Sequence, residues 1–274
     1  MPILPSVASL WIGPKLEALE QLCLKSFVDA GHPVTLYTYD DVDGVPDGIT
    51  VKDASSILSG DDIAVNANFN SPGPHADRFR YRMLAETDHI WVDSDAYCRK
   101  AFPDIPYVFA SHHKTLLANG VLRLPKESPA LARLIEFTAD PYPVLPSDFY
   151  WKERLNVEHQ RQVADHGARH IGEMRWETWG PDALTYFLNQ TGEDRHALER
   201  HMLYPLTGSE AKRTLLRPGR AQISLPEDCI SIHFYGSNFR RYLKLRGGYH
   251  PRSLFARLCD EHGIPHPTNP EIDQ

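Results

Sequence analysis

Two carboxylates one residue apart, Asp93-Ser94-Asp95, follow directly on the apolar run Ile90-Trp91-Val92. Ionised carboxylates are hard oxygen donors, suited to magnesium or manganese rather than to softer metals. At the carboxyl end of a buried strand in an α/β sheet, such a pair faces the crevice where these folds bind ligands. The spacing alone says little. With 36 acidic residues in 274, a chance Asp-x-Asp is expected, and Asp41-Val42-Asp43 is one, in a Gly- and Pro-containing stretch that reads as a solvated turn. Context separates the two. Upstream of the first lies Asp77-Arg78-Phe79-Arg80-Tyr81, where a helix sets Asp77 beside Arg80 and Tyr81, three and four residues on. Alone, Asp77 and Arg80 read as an ordinary surface ion pair; ahead of a strand ending in Asp-Ser-Asp, they become candidates for the same chemistry.

Other residues could join that chemistry. His233, on the apolar run 229–235, is a candidate third metal ligand, set against the plainer reading of a satisfied core histidine. His112 and His113 follow another strand; adjacent strand residues point to opposite faces, so at most one can approach a cation. Trp11 suits stacking on a base or burial in the core. Trp151, Trp176 and Trp179 offer aromatic faces to sugar rings, or cover a loop.

The elements that must position these residues follow from periodicity. Residues 7–12 read as a strand stopped by Gly13-Pro14, and 15–30 as a helix with Leu16, Leu19, Leu22, Cys23 and Phe27 on one face and Gly31 as its stop. Residues 34–39, β-branched and aromatic, form a second strand. That βαβ unit favours a parallel sheet. Segment 44–48 is a turn-rich connection and 61–74 irregular. A helix over 75–86 precedes the 90–92 strand; 107–110 and 120–124 are further strands, 130–138 a helix, and 182–188 a helix opened by Pro181. The stretch 142–171 is polar and aromatic-rich without a clear period, and 229–235 is a late strand. The expectation is one α/β domain over 1–274, with a mainly parallel central sheet flanked by helices.

Composition bounds the function. A hydrophobic content of 42% and a charged content of 24% are ordinary for a soluble globular chain. A net charge of −7 argues against bulk nucleic-acid binding, which needs a basic footprint. Yet segment 238–257 carries Arg240, Arg241, Lys244, Arg246, Arg252 and Arg257 with no acidic residue. That is either a solvated basic surface or a region meeting phosphates, an anionic acceptor or an anionic membrane. Four scattered cysteines form neither a disulfide framework nor a zinc site, which makes reduced thiols in the cytoplasm the default. The start lacks a signal peptide's basic and apolar regions, and no apolar run approaches the roughly 20 residues of a membrane span. The expected location is the cytoplasm, with peripheral contact at the inner face of the membrane through 238–257 as a candidate.

These motifs together resemble the DXD-containing sugar transferases of glycosyltransferase family 32, with a more distant likeness to the large clostridial glucosylating toxins. There, a Ser-Asp-x-x-Arg-Tyr helix precedes an aliphatic strand ending in Asp-x-Asp; here stand Asp77-Arg78-Phe79-Arg80-Tyr81 and Ile90-Trp91-Val92-Asp93-Ser94-Asp95. Leu10-Trp11-Ile12-Gly13 is similar to the first-strand motif under the nucleotide base, Asn119-Gly120-Val121 to the segment after the motif, Trp179-Gly180-Pro181 to a Gly-Pro helix start, and His233 to a late metal-proximal histidine. Ala76 replaces the usual Ser, and Thr87-Asp88-His89 the usual Gly-Gly, marking a divergent branch of bacterial polysaccharide type.

The resemblance implies a GT-A fold, with a nucleotide-sugar part over about 1–125 and an acceptor-side part over about 126–274. It implies a hexosyltransferase that moves a sugar from a nucleotide-diphosphate donor, a UDP-sugar in the first instance, to a glycan, lipid-linked or polysaccharide acceptor with retention. Mn2+ or Mg2+ would sit on Asp93, Asp95 and His233. Asp93, Ser94 and Trp11 would contact the nucleotide, Asp77 the sugar hydroxyls, and Arg80 the diphosphate or sugar; Asp182 is an acceptor-side candidate. Such a cation stabilises charge growing on the leaving diphosphate. The alternatives are a metal-dependent nucleotidyltransferase or phosphohydrolase, which ordinarily adds carboxylates for a second metal, and a non-catalytic nucleotide-sugar-binding protein.

Overall fold

A computed structural model describes residues 4–113, 115–208, 210–211 and 225–266. The chain is mixed α/β. A mostly parallel six-stranded sheet has the order β3-β2-β1-β4-β7-β6, and a second sheet pairs β5 with β8. The strands are β1 (Val7–Trp11), β2 (Val34–Thr38), β3 (Ile49–Asp53), β4 (Ile90–Val92), β5 (Ala96–Cys98), β6 (Val108–His113), β7 (Leu116–Arg123) and β8 (Ser231–His233). The chain forms two compact units interleaved in sequence: Met1–Lys52, Val92–Asp104 and Glu199–Gln274 make the first, Asp53–Trp91 and Ile105–Leu198 the second.

In the first unit β1 and β2 run parallel, Val7 opposite Val34 through Trp11 opposite Thr38. Between them lies α1 (Ala18–Asp29), whose start is closed by a reciprocal cap: the Glu17 amide donates to Glu20 Oε2 at 3.0 Å. The face predicted from periodicity is the buried one, with Leu16, Leu19, Leu22, Cys23 and Phe27 all inside. Leu19, Leu22 and Cys23 join Tyr97, Ile232 and Phe234 in one core, closed by edge-to-face packing of Phe239 and Phe255. The Ser26 hydroxyl accepts from the Cys98 amide at 2.8 Å and so ties α1 to β5. The late strand is shorter than expected. It stops at His233 because Tyr235 turns to a left-handed φ of 55° and opens α7 (Gly236–Arg246).

The second unit holds α2 (Gly73–Glu86), the antiparallel pair β6–β7, α3 (Pro129–Phe137), α4 (Glu153–His166) and α5 (Ala183–Thr191). Strands β6 and β7 extend past the segments expected from sequence and meet as a hairpin, the antiparallel edge of an otherwise mostly parallel sheet. Glu193 is buried, and its carboxylate accepts from Ser128 Oγ at 2.6 Å and the Ala130 amide at 2.8 Å, fixing the start of α3. The first unit also holds α6 (Arg200–Leu203) and α8 (Leu254–Glu261).

Candidate functional site

Strands β5 and β8 build the acidic cluster. Their antiparallel register places Ala96 opposite His233, and the Phe234 amide donates to the Asp95 carbonyl at 2.9 Å. Asp95 therefore enters β5 just where His233 leaves β8. His233 Nε2 lies 3.3 Å from Asp95 Oδ1 and 3.6 Å from Asp93 Oδ2. The other oxygen of Asp95 accepts the Gly236 amide at the first turn of α7, where the helix dipole favours a negative charge. A Cβ on Gly236 would stand 3.0 Å from that same oxygen, a contact tight enough that the carboxylate would have to give by a few tenths of an ångström.

These donors fit a hard divalent cation. One donor atom each from Asp93, Asp95 and His233 lie within 4.8 Å of one another, and all three side chains are partly exposed. The two carboxylates supply hard oxygen donors of the kind such a cation takes. His233 fits conditionally: its Nδ1 accepts the Tyr235 amide at 3.1 Å, which puts the ring proton on Nε2, facing the carboxylates. Ligation through Nε2 moves that proton to Nδ1, against the Tyr235 amide, and so costs that hydrogen bond. Ser94 sits half-buried in the turn between the two aspartates. Trp11, in the same unit, is partly exposed, yet its indole Nε1 is buried and has no acceptor among the described residues. A bound group accepting that N–H would satisfy it.

The second unit gathers the other motif residues. Along α2, Asp77 and Arg80 are buried, not surface residues. Arg80 donates to the Asn119 carbonyl at 2.6 Å, lies 3.3 Å from Asp77 Oδ1, and covers the Trp91 ring at 4.7 Å. Asn119 Nδ2 donates to the same Asp77 oxygen at 2.8 Å. Gly180 completes the cluster: a Cβ there would meet Asp77 and Asn119 side-chain atoms at 3.0 Å. The neighbouring Tyr81 hydroxyl donates to the Trp179 carbonyl at 2.9 Å. Three segments far apart in sequence, at 77–81, 119–121 and 179–181, thus converge. Sequence reasoning finds the motif that holds Asn119 but gives the side chain no place in the site, because an amide within an apolar run carries no signal of its own.

Asp182 is fully buried in the second unit and paired through Oδ2 to Arg175, which also holds Glu177. Burial pushes its carboxyl up to about 7, against the pull of Arg175. Trp179 is core; Trp176 packs on Phe69 and closes on Gly73; Trp151 lies under Lys152 and tilts against His113. His112 and His113 belong to the second unit and are not part of the acidic cluster. Asp41 and Asp43 are exposed in their turn, as expected of the chance motif.

No family model and no curated protein matches the chain. Among solved structures, it is similar to the glycosyltransferase PaToxG at 14% identity and a TM-score of 0.45, over 69% of this chain and 70% of that one. It is also similar to the apo form of mouse xyloside xylosyltransferase 1 at 9% identity and a TM-score of 0.43, over 85% of this chain and 98% of that one. Both are likenesses of chain path and carry no residue role across; the functional reading rests on the side chains.

Proposed function

We propose that the protein is a metal-dependent glycosyltransferase of GT-A type, moving a sugar from a nucleotide-diphosphate donor to a glycan, lipid-linked or polysaccharide acceptor with retention. The observation that carries this reading is the Asp93–Asp95–His233 cluster at the ends of β4, β5 and β8, within 4.8 Å and partly open to solvent. A divalent cation, Mn2+ or Mg2+, held there by Asp93 and Asp95 would supply positive charge to stabilise a leaving diphosphate. Asp93 and Asp95 hold the cation, and the Gly236 amide orients Asp95. His233 Nε2 faces both carboxylates, nearer Asp95, and steadies Asp95 or joins the pair as a ligand. The Trp11 indole N–H is assigned to the nucleotide, whose acceptors would satisfy it.

Asp77 and Arg80, expected from the resemblance to meet the donor sugar, are assigned a structural part within the second unit. Arg80, tied to Asp77, the Asn119 carbonyl and the Trp91 face, holds that carboxylate in place. The test is a donor panel: the protein with Mn2+ and individual nucleotide sugars, with and without chelator. Metal-dependent binding of one donor, with release of nucleoside diphosphate, is the expected result. Release of nucleoside monophosphate points instead to a nucleotidyltransferase or phosphohydrolase. Absence of metal-dependent binding to any nucleotide sugar sinks the reading.

A further inference from the structure

The basic segment 238–257 divides into an inward and an outward part. On α7, Phe239 is turned into the core beside Phe234 and Phe255. The exposed positions are Ser237, Arg240, Arg241, Lys244 and Leu245, spaced i, i+3, i+4, i+7 and i+8, which is one helical face. Arg240 leans back on buried Glu20, so its charge is offset. Arg241 and Lys244 are exposed and form no ion pair among the described residues. Leu245, beside them, is 75% exposed.

We infer that this outward face of α7 is a contact surface for an anionic bilayer. Net charge argues first. A chain at −7 is repelled by an anionic surface except where it presents a basic face, so the face fixes orientation as well as attraction. The leucine argues second. Cations at headgroup level around an apolar side chain directed to the acyl boundary is the pattern of interfacial helices. Nucleic-acid phosphates would be served by the cations alone and gain nothing from Leu245. With two unoffset cations and one apolar anchor, the contact is weak and reversible, and falls with salt. The inference stands apart from the transferase reading, although a lipid-linked acceptor would suit both.

The test floats the full chain with vesicles of phosphatidylcholine and, separately, of phosphatidylglycerol. Binding to the second and not the first is expected, declining with salt. The double variant Arg241→Glu, Lys244→Glu should lower it by more than about tenfold, at roughly fivefold per cation before reversal is counted. Leu245→Ser should lower it several-fold while keeping the salt dependence. All three positions are exposed, so circular dichroism should show the fold unchanged. Equal binding to both vesicles, no binding to phosphatidylglycerol, or binding that survives charge reversal overturns the inference. So does binding of single-stranded RNA that is insensitive to Leu245→Ser and stronger than vesicle binding, which reassigns the face to nucleic acid. Nucleotide-sugar binding, measured on the same variants, reports separately on the proposed function.

Discussion

The two units each gather aspartates, and they settle them in opposite ways. In the second unit, Asp77 meets a guanidinium and a side-chain amide, is 7% exposed, and shares its Oδ1 between both donors. In the first, Asp95 meets an imidazole and a backbone amide at a helix start, beside a second carboxylate, with its side chain 17% exposed. A buried charge held by a cation of the same fold is part of the structure, and removing the cation exposes the full cost of burying the anion. Paired carboxylates kept near solvent, braced by neutral donors, retain room for a cation from outside. The same residue type is thus structural in one place and poised to bind in the other. What surrounds the oxygen decides which.

The largest effect that would break this contrast is expected at Arg80. Arg80→Ala leaves Asp77 buried beside one amide and strips a donor from the Asn119 carbonyl. Urea unfolding should show a loss of about 3 kcal/mol or more, the scale for orphaning a buried partner. Pairing Arg80→Met with Asp77→Asn should recover much of it, because no charge is left uncompensated. A fully stable Arg80→Ala protein would mean that Asp77 and Arg80 are not the structural cluster their contacts describe.

Asp95→Asn should do the reverse. The fold keeps its stability, since the carbonyl oxygen of an asparagine side chain can still accept from the Gly236 amide. Titration calorimetry with Mn2+ should show affinity reduced at least about a hundredfold, the upper range for lesser changes around a metal. His233→Gln should cost less than Asp95→Asn, because Nε2 ligation already gives up the Tyr235 hydrogen bond. If the histidine variant loses more, the imidazole is the principal ligand and the order of the two residues is reversed.

The opening βαβ of the first unit was legible in the sequence because its signals were local. The buried face of α1 recurs at helical spacing, β1 and β2 are short runs of mostly apolar, β-branched and aromatic residues, and Asp93 to Asp95 follow a strand whose residues are all buried. Two elements were invisible for a common reason. Four of the five residues of β3 are exposed, and α4 buries no residue, so neither has an apolar face to give a period. Burial of the Asp77–Arg80 pair was equally out of reach: it depends on Asn119 and Gly180, which long-range contacts alone bring to α2. The paired aspartates could be found from spacing and context, but the difference between a compensated and a poised carboxylate is tertiary.

Asp182 sharpens the comparison through pH. Its carboxyl is pushed up to about 7 by burial, above the ordinary carboxylate value near 3.8. A raised carboxyl favours the protonated folded state, so the stability it confers is complete below its unfolded value and is lost as pH rises towards 7. Between pH 5 and 8 the fold should therefore lose stability on the order of 2–3 kcal/mol, nearly all of it below pH 7. Asp182→Asn, which cannot ionise, should flatten that part of the profile in thermal unfolding. A profile that stays as steep in the variant would assign the pH dependence to another group.

The smallest effect expected is at Gly236, and it isolates geometry from charge. A Cβ there would lie 3.0 Å from Asp95 Oδ2 and 3.0 Å from Arg240 Nη1. The arginine end is flexible and can move aside; the carboxylate is held by the Gly236 amide itself and must give by a few tenths of an ångström. Gly236 lies within α7 and Tyr235 carries the left-handed turn, so the alanine's backbone is not the difficulty. Stability should change by about 1 kcal/mol or less, while Mn2+ affinity falls several-fold, because one of two carboxylates is displaced with its charge intact. Affinity unchanged in Gly236→Ala would show that the cation does not depend on where α7 holds Asp95, and the helix start would then be a brace for the fold alone.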